Sequence, residues 1–181
     1  MLTKKQQEWL EKLSDVDQVQ IYPYNPAVKE IFQREKQTLL QLLGDSIDIY
    51  HMGASSLEIS GKGDVDIYIP VEVGLFEPFL VKLKDSYGEP GSVSLQNRAR
   101  FNIYREDIEL EILLVNKDSE DWTNNRLFWN HLKENPSALI DYERLKESSG
   151  GMSTREYYRR KILFINEILS TITDSQNILE E

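Results

Sequence analysis

Apolar residues fall into two rhythms along this chain. Between positions 46 and 116 they alternate with polar ones (SIDIYHM, DVDIYIPV, DIELEILLVN), the period of half-buried strands; on either side they recur every three or four residues, the period of helices. The spacing predicts a first helix over 3–13, with Trp9, Leu10 and Leu13 on one side. Ile21-Tyr-Pro-Tyr-Asn-Pro26 resists helix, because residues before proline avoid αR. A second helix is predicted from about Pro26 to Leu43, carried by Val28, Ile31, Phe32, Leu39, Leu42 and Leu43 and stopped by Gly44. Strands over 46–52 and 64–71 flank a small-residue turn that opens at Gly53, and 75–86 suits a helix on the back of the sheet. Residues 93–105 and 107–116 read as an antiparallel pair meeting near Arg105-Glu106-Asp107. Beyond Asp118, helices are predicted over about 119–134, 136–147 and 154–172, separated by Pro136 and by Ser148-Ser149-Gly150-Gly151. The expected class is α+β, one sheet with helices gathered on it. A single domain over 1–181 is expected, with a core at about 20–117 and C-terminal helices at about 118–172.

Composition narrows the function classes. No stretch approaches the ~20 apolar residues of a membrane span, and MLTKKQQEWLEKL lacks the apolar core of a signal peptide. The chain has no cysteine, which removes disulfides and thiolate metal sites and leaves a cytoplasmic protein as the expectation. A net charge of −10 argues against broad electrostatic binding to nucleic acid. Small nucleotides remain open, because a few lysines or arginines reverse the field inside a cleft.

The chemistry-bearing segment is YHMGASSLEISGKGDVDIYI, residues 50–69. Asp64 and Asp66 stand two apart in an alternating run, so they project from one face while Val65 and Ile67 take the other. Neighbouring carboxylates repel unless a positive partner lies between them, and a hard divalent cation is the simplest one. The plainer reading is a solvent-facing strand in an acidic chain. Gly53-Ala54-Ser55-Ser56 lets backbone approach a phosphate and present N–H groups to it. Glu109 and Glu111 share a face by the same period, and either one supplies a third acid. Lys62 lies close by in sequence, whereas Arg98, Arg100, Lys146 and Lys161 reach the acids only by fold-back. His51 and His131 are too few for a histidine metal site, and His51 at a strand end reads most simply as a hydrogen-bonded core edge.

VQIYPYNPAVKEIFQREKQTLLQLL, IYHMGASSLEISGKGDVDIYI, SEDWTNNRLFWNHLKENPSALIDYERLKE and YYRRKILFINEIL, in that order over about 20–170, resemble the GrpB family, also called UPF0157. Its members occur alone or fused to dephospho-CoA kinase. They are similar to the nucleotidyltransferase superfamily of DNA polymerase β and the antibiotic-modifying transferases. Gly53, Ser55, Ser56, Lys62 and Asp66 match the family's turn and acid pattern. Ala54 stands where the superfamily's turn carries a serine, and Gly63-Asp64 restores a full Asp-x-Asp. Glu111 and Leu113 stand where many members carry His-x-His, which supports Glu111 as the third acid. The Tyr142/Lys146 and Tyr157/Lys161 pairs match positions on the family's C-terminal helices.

Together these imply a nucleotidyltransferase-like protein. Asp64 and Asp66, with Glu111 or Glu109, would hold one or two Mg²⁺ ions. Gly53, Ser55, Ser56, Lys62, Lys146 and Lys161 would hold the phosphates of a nucleoside triphosphate, and the acceptor would be a cationic or neutral small molecule. A nucleotide-binding module without turnover, or a scaffold whose acidic face binds a basic partner, is the alternative expectation.

Overall fold

The computed structural model describes residues 1–179, with side chains described through Asp174. The chain divides into two compact units, a sheet unit (23–59 and 63–125) and a helical unit (1–22, 60–62 and 126 onward).

The sheet unit is built on five strands: β1 (Tyr50–Met52), β2 (Val65–Val71), β3 (Ser92–Ser94), β4 (Arg98–Arg105) and β5 (Ile108–Asn116). They lie in the order β1-β2-β5-β4-β3, and only β2 and β5 run parallel. On β2 the alternation is complete: Val65, Ile67, Ile69 and Val71 are buried while Asp66, Tyr68 and Pro70 are partly exposed. Leu110, Ile112 and Leu114 of β5 face the same way as the buried β2 residues. Against that apolar face pack α2 (Val28–Leu43) and α4 (Val73–Tyr87), through Ile31, Phe32, Leu39, Phe76, Leu80 and Leu83. Removing this much aliphatic and aromatic surface from water is the main term holding the unit together.

The predicted elements survive with three corrections. The 93–105 strand is broken into β3 and β4 by a turn at 95–97, where Gln96 takes φ +58°. The 46–52 strand is paired only over its last three residues. The small-residue turn closes into a four-residue helical segment, α3 (Gly53–Ser56). The β4–β5 hairpin forms where expected. Glu106 and Asp107 have φ +50° and +63°, and a two-residue turn with both residues left-handed matches the twist of its strands.

A buried charge ties the back of this unit. Glu35 of α2 is 3% exposed and accepts hydrogen bonds from Tyr87 Oη (2.7 Å) and from Arg105 Nε (2.9 Å). Burial, then the bond to Glu35, pushes the Tyr87 phenol above its ordinary range, so it remains a donor.

The helical unit contains α1 (Lys4–Leu10), most of α5 (Glu120–Glu134), α6 (Pro136–Glu147) and α7 (Thr154–Leu179). Thr3 and Gln6 form a reciprocal capping box at the start of α1. At its other end Arg155 donates to the carbonyls of Leu10 (3.0 Å), Glu11 (3.2 Å) and Leu13 (2.8 Å), and so ties down the segment where the helix runs out; the Leu10 carbonyl also accepts from Leu13 N–H. Phe128, Tyr142 and Phe164 stack and cross edges between α5, α6 and α7. Among the described residues no helix is long and apolar enough to cross a membrane.

Truncating Glu35 strands the half-buried Tyr87 phenol and takes the acceptor from Arg105, whose side chain is itself open to water. Glu35→Ala is expected to cost about 2 kcal/mol, and Glu35→Gln, which still accepts from Tyr87, about half of that. Urea midpoints of the two variants against wild type measure both.

Candidate functional site

The face of the sheet opposite α2 and α4 carries the acids. Gly63 turns the chain into β2 with φ +86°, and Asp64 precedes the strand by one residue. Asp66 then projects from the face that Asp64 shares by alternation. Parallel pairing puts Asp66 in register with Glu111 and Val65 with Leu110. With neighbouring strands about 4.8 Å apart, two carboxylates are brought side by side. Across the antiparallel pairing, Asn102 of β4 stands opposite Glu111, and its Nδ2 donates to Glu109 Oε1 at 2.7 Å. Arg100, on the same face of β4, brings Nη1 to 3.9 Å from Glu111 Oε1. Tyr50 and Tyr68 are register partners on this face, and the ring of Trp122 lies over both, with centroids 5.4 and 5.7 Å away.

Gly53 fixes one side of the acid cluster. It follows Met52, the antiparallel partner of Asp66, and takes φ +72°. A Cβ there would fall 1.8 Å from Asp66 Oδ2 and 2.9 Å from its Cγ. The carboxylate therefore rests where a side chain would otherwise be, against the Cα that opens α3. Only glycine supplies both the open space and the left-handed backbone at low cost.

The hydroxyls of the turn are used locally. Ser55 is buried, and its Oγ lies 3.0 Å from His51 Nε2; Ser56 Oγ donates to Gly53 O at 2.8 Å. What the turn offers a ligand is therefore chiefly the amide edge of its first residues, which have no acceptor within so short a helix. His51 itself is the core-edge residue its position suggests. Its ring stacks on Phe32 at 4.6 Å between centroids. Burial, reinforced by the charge of Lys29, lowers its pKa from 6.5 to about 4. Lys29 in turn pairs with Glu58 at 2.5 Å.

Asp64, Asp66, Glu109, Glu111 and the turn Gly53–Ser56, with Ser55 and Ser56, thus belong to the sheet unit. Lys62, Lys146 and Lys161 belong to the helical unit. There Lys146 is buried on α6, donates to Tyr157 Oη at 3.3 Å and lies 4.9 Å above the Tyr142 ring, while Lys161 lies 5.7 Å above that of Tyr158. Among the described residues no three His, Cys, Asp or Glu side chains are gathered as a ready metal-binding set. The fold-back of β4 on β5 brings Arg100, one of the cations the sequence left open by fold-back, toward Glu111, whereas the bond from Asn102 to Glu109 had no signal in the spacing. The alternation of Arg98, Arg100 and Asn102 was visible, but the register that aims them at the acids was not.

A family model described as GrpB protein matches residues 18–171. The chain belongs to the GrpB family. A UPF0157 protein of Vibrio cholerae serotype O1 is 28% identical over 166 residues, covering 84% of this chain and 83% of that protein. The crystal structure of the conserved protein GrpB from Enterococcus faecalis superposes with a TM-score of 0.66 at 21% identity, covering 84% of this chain and 98% of that one. GrpB membership and the mixed α+β fold are thereby established for this chain.

Two outcomes follow from this geometry. Gly53→Ala is expected to cost about 2–4 kcal/mol in urea denaturation, whereas Gly74→Ala on α4, with nothing within 4 Å, should be close to neutral. His51 is neutral in the fold but takes up a proton near pH 6.5 once unfolded. Its contribution to stability is therefore intact above about pH 6.5 and falls as the pH drops toward 4, by up to about 3 kcal/mol. Stability–pH curves of wild type and His51→Gln should converge over that window; parallel curves would show that the ring is not held neutral.

Proposed function

We propose that this GrpB protein is a nucleotidyltransferase that moves a nucleoside monophosphate from a nucleoside triphosphate to a small-molecule acceptor. The observation that carries the reading is the seat of Asp66: its carboxylate rests on the bare Cα of the turn and stands in register with Glu111. An acid pair beside a tight backbone turn is the arrangement that phosphoryl-group chemistry needs, since charge placement and orientation do most of the work there.

Asp64 and Asp66, with Glu111 or Glu109, carry the hard oxygen donors that suit Mg²⁺. That ion is commonly held by one or two carboxylates, waters and substrate phosphates, so a gathered set of three side chains is not required beforehand. When bound, one or two Mg²⁺ would neutralise phosphate charge. The first backbone N–H groups of α3 would donate hydrogen bonds to phosphate oxygens of the triphosphate. An acceptor oxygen would then bond to the α-phosphorus while the bond to the bridging oxygen breaks and pyrophosphate leaves with its electron pair. The acceptor's proton would pass to one of the face carboxylates and on to water.

Two details favour a second reading, a nucleotide-binding module without turnover: Ala54 brings no hydroxyl to the turn, and Arg100 sits 3.9 Å from Glu111. The two readings separate in one assay. Mg²⁺-dependent pyrophosphate release from each nucleoside triphosphate, with mixed hydroxyl-bearing acceptors, is expected for wild type and should fall at least ~100-fold in Asp66→Asn. Nucleotide-dependent thermal stabilisation with no release in any mixture supports the module, and neither signal removes both readings.

A further inference from the structure

Arginines that serve this fold spend their donors. Arg105 is bonded to Glu35 through Nε at 2.9 Å and through Nη2 at 3.4 Å, and Arg155 is bonded to three carbonyls. Arg100 departs from that habit. Its Nε is enclosed by protein and has no hydrogen-bond partner, and its Nη1 is 3.9 Å from Glu111 Oε1, beyond hydrogen-bond reach. Enclosing a guanidinium N–H without an acceptor is costly, and native structures rarely leave such a group without a reason. The side chain is 41% exposed, so its outer edge remains open to an incoming group. Arg98, two residues away on the same face and exposed, adds a second positive charge.

Position in the sheet says which reactant this edge would meet. Across the strand order the Gly53 turn follows β1, Asp66 is on β2, Glu111 on β5 and Arg100 on β4. The acids therefore lie between the phosphate-cradling turn on one flank and Arg100 on the other, with β4 about 10 Å from β2. A fork of N–H donors is shaped for a two-oxygen anion such as a phosphate monoester or a carboxylate.

We infer that Arg100 anchors an oxyanion of the acceptor on the β4 flank of the acid pair. The inference rests on the transferase reading above for the word acceptor, though not for the anion site itself. It replaces an acceptor chosen from the chain's negative net charge with one chosen from the two positive charges, Arg100 and Arg98, on the β4 flank.

The test is an NMR titration of the full chain in EDTA, with inorganic phosphate in one arm and acetate in the other. The Arg100 Nε–Hε signal is assigned by its absence from Arg100→Lys. A saturable shift of that signal, with the accompanying amide shifts at Asn102 and Glu111 weakened at least tenfold in Arg100→Gln, is the expected result, and the arm that saturates names the anion. A linear drift in both arms, or the same saturable amide shifts in Arg100→Gln, overturns the inference. Pyrophosphate release reports separately: release without an Arg100 shift refutes only the anion site, and a shift without release refutes only the transferase.

Discussion

The register between β2 and β5 is the constraint on which everything else rests. A slip of one residue in either strand would turn its acid, Asp66 or Glu111, into the apolar face and bring Ile67 or Ile112 out of it. Burying a carboxylate without a partner costs several kcal/mol, and exposing an isoleucine forfeits a further 1–2 kcal/mol. The same alternation that packs α2 and α4 against the sheet therefore sets the acids side by side. Core formation and site formation are one event.

Much of the fold could be read from the chain because apolar periodicity reports burial. Helix α6 and the start of α7 fall at their predicted residues, since proline and the glycine pair punctuate them. The break between β3 and β4 was hidden because Val93 and Leu95 continue the apolar run, although both are exposed. The 46–52 run was overlong for a similar reason: Ile49 is buried ahead of the first paired residue. Alternation says which residues share a face and nothing about which strand lies alongside. The choice between Glu109 and Glu111 was open for that reason. The pairing distinguishes them, with Glu111 level with Asp66 and Glu109 bonded by Asn102. The lysines illustrate another limit. Lys146 carries a charge that reads as surface, yet it is enclosed against the rings of Tyr142 and Tyr157, where cation–π attraction offsets part of its lost hydration.

Electrostatics on the sheet face is more varied than the net charge of −10 suggests. Three carboxylates on two strands, with Asp64 just ahead of β2, meet an amide from Asn102 and a guanidinium from Arg100 on the third, while the aromatic group of Trp122, Tyr50 and Tyr68 covers the neighbouring stretch. A lower local dielectric strengthens every one of these charge interactions. On the other side of β1, His51 is kept neutral between Phe32 and Ser55, and the charge of Lys29 behind it is paired with Glu58.

The contact between Gly53 and Asp66 also constrains how this sequence is free to drift. Because the carboxylate fills the volume of a missing Cβ, positions 53 and 66 cannot vary independently. An alanine at 53 requires the Asp66 carboxylate to swing away or residue 66 to be shortened, and the left-handed backbone would still exact about 1 kcal/mol. The pair is a case of epistasis written into one strand crossing: a step away from that glycine displaces the acid from its seat, so the cost of changing either residue depends on the other.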